Sequence, residues 1–145
     1  MEVLLLNPSW MSKEGNIWKK ISGLMPPLGL AYVASYLEKQ GIKVRIIDVH
    51  AEEAGLPELL ETAGVNLGFI GITATTTTFS SALETAAACR KKFPSAKITL
   101  GGVHPTILPE DALKSEAVDF VIRGEGERSF YDLVSGAQLE SVKGL

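Results

Sequence analysis

Only one cysteine, Cys89, stands among the 145 residues. It has no partner for an internal disulfide and cannot alone build a multi-cysteine metal site, so a reducing, cytoplasmic setting is expected. No apolar run approaches the roughly 20 residues a membrane span needs. The start, Met1-Glu2 followed by the short apolar run Val3 to Leu6, lacks the basic residues and longer apolar core of a secretion signal. A formal net charge of −3 gives no reason to expect nucleic acid, whose binders carry a basic face. There is no Walker phosphate loop and no nucleophile–base–orienter set. The sequence also has no internal repeat and no low-complexity segment beyond a threonine cluster. These absences exclude a membrane or nucleic-acid partner, leave no metal ligands to name and show no catalytic residues.

What is present is a regular alternation. The hydrophobic content of 46% and charged content of 21% suit one domain with a core covered on both sides. Glu2 to Leu6 is continuously apolar after its first residue, as in a strand buried on both faces of a parallel sheet. Asn7-Pro8-Ser9 ends it, and a loop with Trp10, Gly15 and Trp18 runs to Met25. Pro26-Pro27 opens a helix with Leu30, Val33, Ala34 and Leu37 on one face, closed by Gly41. Strands are expected at Lys43 to Asp48, Leu67 to Thr73, Ile98 to Leu100 and Asp119 to Ile122. Helices are expected at Pro57 to Ala63, at Phe79 to Phe93 with Ser81 and Glu84 as a capping box, from near Pro109, and from Ser129. Strand and helix alternate five times. That predicts an α/β fold with a five-stranded parallel sheet, flavodoxin-like order 2-1-3-4-5, and helices on both faces. Residues 1–135 form the domain, and residues 136–145 read as a tail or linker.

In such a sheet the carboxyl ends of the strands share one edge, where ligands bind. Four segments reach it: Asn7 to Trp10, Thr73 to Thr78, Gly101 to Thr106 and Arg123 to Glu127. Gly101-Gly102 either opens the backbone to a bulky ligand or only makes a tight turn. The threonines offer a seat for a phosphate or polar tail, or merely continue the strand and cap the helix. His104, at the mouth of this edge, either contacts a ligand or is structural. His50, near Glu52 and Glu53, reads as part of a solvated loop. Glu125 and Glu127 suit a helix start, where their charge meets the macrodipole favourably.

Three stretches carry a family resemblance: Pro26-Pro27-Leu28-Gly29-Leu30-Ala31, Gly101-Gly102-Val103-His104-Pro105-Thr106, and Arg123-Gly124-Glu125-Gly126-Glu127. In this order and spacing the chain resembles the N-terminal cobalamin-binding domain of cobalamin-dependent radical S-adenosylmethionine enzymes, from the first strand to about Leu133. The resemblance implies cobalamin on the carboxyl edge, with its nucleotide tail running down beside the sheet. Its candidate contacts are Asn7, Ser9, Thr73, Thr75, Thr76, Gly101, Gly102, His104, Gly124 and Glu125. Related methionine synthases and mutases supply a cobalt-ligating histidine after the first strand. Asn7-Pro8-Ser9-Trp10 stands there instead, so cobalamin without a histidine lower ligand is expected. His50 follows the wrong strand. An iron–sulfur cluster and S-adenosylmethionine would belong to a downstream domain of a longer parent enzyme, performing methyl transfer or radical rearrangement. The alternative is a degenerate, non-binding interaction domain of the same fold. A receiver-like regulator would need acidic residues after strand one and an aspartate after strand three, and neither is present; flavin binding has no support.

Overall fold

A computed structural model describes residues 2–9, 26–64 and 66–145. The elements follow in chain order: β1 (Glu2–Asn7), α1 (Leu28–Lys39), β2 (Lys43–Asp48), α2 (Leu56–Thr62), β3 (Leu67–Thr73) and α3 (Phe79–Lys92). Then come β4 (Lys97–Gly101), the short helices α4 (Val103–Ile107) and α5 (Pro109–Leu113), a two-residue β5 (Phe120–Val121), and α6 (Glu127–Val134). The strands form one parallel sheet in the order β2-β1-β3-β4-β5. This is the flavodoxin-like arrangement that the alternation predicts. The expected loop with Trp10, Gly15 and Trp18 lies outside the described residues.

Strand alternation divides the core between the two faces. From β1, Val3 and Leu5 pack with Leu30, Ala34 and Leu37 of α1 and with Phe130, Leu133 and Val134 of α6. Leu4 and Leu6 point the other way, toward Leu59 and Leu60 of α2 and Ala82, Ala86 and Cys89 of α3. Because the inward positions of α3 are small, the helix lies close to the sheet. Cys89 is fully buried there, and burial pushes its thiol up to about 12, so it serves as a packing residue.

The structure departs from the sequence reading at four places. The long helix starts at Phe79 with Thr78 at its N-cap, so Ser81 lies inside the first turn and is not the cap. Its carbonyl instead accepts a hydrogen bond from Thr85 Oγ1 at 2.8 Å. Val103 to Ile107, read as loop, winds into α4. The last helix begins at Glu127, two residues before Ser129. Residues 136–145 pack against the domain: Val142 is buried, and the Gly144 carbonyl accepts from Arg123 N at 2.8 Å.

With only two residues, β5 depends on side chains to hold it. Asp119 accepts hydrogen bonds from Ile98 N at 2.7 Å and from Arg90, and pairs with Lys97 Nζ at 3.3 Å. Arg90 also donates to the carbonyls of Ala96 and Ala117. Burial pushes the Asp119 pKa up, but the Ile98 amide and the two cations outweigh it and hold the carboxyl below its usual range. A depressed carboxylate contributes stability that is present above its unfolded pKa, about 4, and lost as pH falls through the folded value. Asp119→Asn should therefore be less stable than the parent at pH 7, with the gap closing below about pH 4. Urea unfolding at a series of pH values measures this, and a gap independent of pH would exclude the carboxylate as its source.

Candidate functional site

Where β3 and β4 meet, the two faces of the sheet differ in kind. Toward α2 and α3 these strands present Ile70, Ile72, Ile98 and Leu100. Toward α1 and α6 they present Gly71, Thr73, Thr99 and Gly101, with Gly71 paired beside Thr99 and Thr73 beside Gly101. Four small residues in a square cannot fill the space beneath the helices. A cavity of about 420 Å³ remains. Leu30 and Val33 of α1, Phe130 of α6 and Leu5 of β1 line it with apolar surface. Gly71 permits this packing, since a Cβ there would stand 2.8 Å from Leu5 Cδ2 and 3.2 Å from Phe130 Cζ.

Among the polar residues lining the cavity, Thr99 stands apart. It is only 3% exposed, and its Oγ1 is buried without a hydrogen-bond partner. An unpaired buried hydroxyl is costly, so a site that keeps one is suited to a ligand that completes it.

At the mouth, two glycine-bearing turns are clipped together. Thr106 Oγ1 donates to the Gly102 carbonyl at 2.7 Å and accepts from Gly124 N at 2.9 Å. Gly124, Glu125 and the exposed apolar side chains of Val103 and Ile107 form the rim. The two neighbouring glycines differ. Gly102 has φ +97°, and a Cβ there would meet Ala74 O at 2.8 Å and Thr73 Oγ1 at 2.9 Å. At Gly101 the nearest atom to such a Cβ is Ile122 O at 3.6 Å, and the position lines the cavity. Gly102 therefore has the geometry of a tight turn, and Gly101 leaves open space at the cavity wall.

Of the residues singled out from the sequence, Thr73, Gly101, Gly102, Gly124 and Glu125 meet at this cavity. Asn7, Ser9, Thr75, Thr76 and His104 do not line it. Asn7 Nδ2 donates to Asp48 Oδ1 at 2.9 Å, across to the end of β2. Ser9 is half-buried just past β1. Thr75 Oγ1 lies 3.0 Å from Thr77 Oγ1 and 3.1 Å from Thr78 Oγ1, so these hydroxyls satisfy one another. His104 is turned away from the cavity mouth. Its amide bonds Ala74 O, its ring stacks on Phe79 with centroids 3.9 Å apart, and Nδ1 lies 3.4 Å from Thr76 Oγ1. The winding of α4 causes this, because it carries the imidazole under the threonine loop. Sequence reasoning did not single out Thr99 or Phe130, and it named Thr106 only as part of the Gly101 to Thr106 segment. The available signal was the period of two that puts small residues at 71, 73, 99 and 101.

The family model described as B12 binding domain matches residues 17–134. An uncharacterized methyltransferase of Pyrococcus horikoshii is 32% identical over all of this chain and 32% of its own length. The anaerobic magnesium-protoporphyrin IX monomethyl ester cyclase of Rubrivivax gelatinosus is 29% identical over 93% of the chain and 24% of its own length. The chain thus spans about a third or less of these curated relatives. Among solved structures, the radical S-adenosylmethionine methyltransferase TsrM from Kitasatospora setae, with cobalamin and a [4Fe-4S] cluster bound, aligns with a TM-score of 0.80. That alignment covers 99% of this chain and 28% of TsrM at 18% identity, which establishes likeness of fold.

Proposed function

The chain belongs to the B12-binding domain family, and on that ground we propose that it holds cobalamin at the carboxyl edge of its sheet for a longer radical S-adenosylmethionine enzyme. The observation that carries this reading is the cavity itself. A degenerate domain would fill its edge with bulky side chains; here Gly71, Thr73, Thr99 and Gly101 keep the space open. At about 420 Å³ the cavity suits a group of nucleotide size, and the far larger corrin has to remain at the mouth. Thr73, Thr99 and Gly101 would line the tail, and Gly102, Gly124 and Glu125 would meet the cofactor where it enters. Asn7, Ser9, Thr75, Thr76 and His104 lie outside this cavity and have at most a role around the corrin's periphery. Bound there, cobalamin supplies a carbon–cobalt centre suited to methyl transfer or radical rearrangement.

Cluster and S-adenosylmethionine chemistry is assigned to a separate downstream domain, since Cys89 is enclosed in α3. Residues 136–145 would lead toward it from the domain formed by residues 1–135. Among the described residues no helix is long and apolar enough to cross a membrane.

Titration with hydroxocobalamin tests the reading: the corrin absorption bands should shift, and the corrinoid should co-elute with the protein on gel filtration. Neither happening would sink it. We also infer that no histidine of the chain ligates cobalt, because His104 is stacked on Phe79 and His50 follows β2 instead of β1. In the cobalt(II) form, the electron paramagnetic resonance spectrum should lack the nitrogen splitting of an axial imidazole. That splitting, if lost again in His50→Ala, would identify the ligand and overturn the inference.

A further inference from the structure

We propose that Thr99 is a specificity-determining residue, whose hydroxyl hydrogen-bonds a ring nitrogen of the heterocyclic base ending the corrinoid's tail. The inference rests on the tail reading above and adds to it a choice among tails. Thr99 sits deeper than Thr73 by two pairing steps of the sheet, roughly 7 Å along the strands. Thr73 is half-buried nearer the edge, where water can serve its hydroxyl. Thr99 Oγ1 has neither water access nor a protein partner.

The surroundings explain why no neighbour satisfies it. Its partner across β3 is Gly71, which has no side chain, and its partner across β5 is Phe120, which offers only a ring. The cavity it lines also takes apolar surface from Leu5, Ile122 and Phe130. A flat aromatic group fits apolar walls of this kind, and a few polar groups among them fix orientation. The hydroxyl can donate to a ring nitrogen that carries a lone pair. A base without such a nitrogen would leave Thr99 as unpaired as it is in the free protein. Selection therefore works against tails lacking the acceptor, by leaving a buried polar group unsatisfied.

The test uses Thr99→Val, nearly the same shape without the hydroxyl, alongside Thr99→Ser, which keeps it. Two corrinoids serve as probes: cobalamin, with a benzimidazole tail, and one whose tail ends in a phenolic ring without nitrogen. Thr99→Val should weaken cobalamin binding roughly tenfold. It should leave the phenolic corrinoid unchanged, so that the preference between them collapses. Thr99→Ser should retain most of the preference. The free Thr99→Val protein should melt at or above the parent, since it has lost an unsatisfied buried group; a hydroxyl with a structural role would lower the melting point instead. Equal losses for both corrinoids, or unchanged cobalamin affinity in Thr99→Val, would overturn the proposal. Failure of the parent protein to bind either corrinoid would remove the tail reading itself and the proposal with it.

Discussion

Gly102→Ala should cost about 3 kcal/mol of stability and lower the melting temperature by roughly 10 °C. Two terms combine. With φ +97° and ψ −167°, Gly102 occupies a region open essentially to glycine, and another residue held there pays about 1–3 kcal/mol. The added methyl would also sit 2.8 Å from the Ala74 carbonyl oxygen and 3.0 Å from its nitrogen. Those are backbone atoms that already bond to Gly101 O and His104 N, so they cannot yield cheaply. Thermal melting followed by circular dichroism measures the loss. A melt within a degree or two of the parent would show that the β3–β4 turn relaxes freely, which the contacts described above do not allow.

The adjacent substitution should behave oppositely. Gly101→Leu should leave the fold nearly intact and weaken cobalamin binding about a hundredfold, roughly 2.8 kcal/mol. No positive φ restrains Gly101, and its nearest neighbour to a new Cβ is at an ordinary 3.6 Å. The leucine side chain has room, but the room is the cavity. On alternation it leaves the sheet on the same face as Thr99, between the strands and α6. A group entering the cavity would have to share that volume with it, and close-packed matter cannot be compressed to do so. Titration of the folded variant decides the matter. Undiminished affinity would move the cofactor's tail elsewhere and return Gly101 to a purely structural role.

The fold was readable because its signals are local. Val3 to Leu6 needs no partner to be recognised as a doubly buried strand, and Gly41, found at φ +79°, terminates α1 as its position predicts. The site was readable only in part. Gly101, Gly102 and Thr73 follow strands directly, so chain order alone brings them to the carboxyl edge. Thr99 is different. In the sequence it is one β-branched residue inside an apolar strand, and nothing local shows that its lateral neighbour will be Gly71. That depends on the β3–β4 register, a contact between residues 28 apart. The orientation of His104 was not readable for a related reason: whether it faces the cavity or Phe79 is decided by the winding of α4, five residues with no strong helical pattern. The capping-box reading of Ser81 and Glu84 gave way to Thr78, which ends a knot of hydroxyls that no spacing rule describes.

The uneven filling of the sheet has a thermodynamic consequence. On the α2/α3 side β3 and β4 present bulky apolar side chains, whereas on the α1/α6 side small residues border the cavity that the proposal above gives to the cofactor. A guest that enters only the folded chain shifts the folding equilibrium by mass action, by about 2.7 kcal/mol at a hundredfold excess over its Kd. The domain's resistance to unfolding, and hence its lifetime among proteases, then becomes a function of cofactor supply. Scarcity of the corrinoid would act on how much of the protein persists as well as on how much of it is loaded.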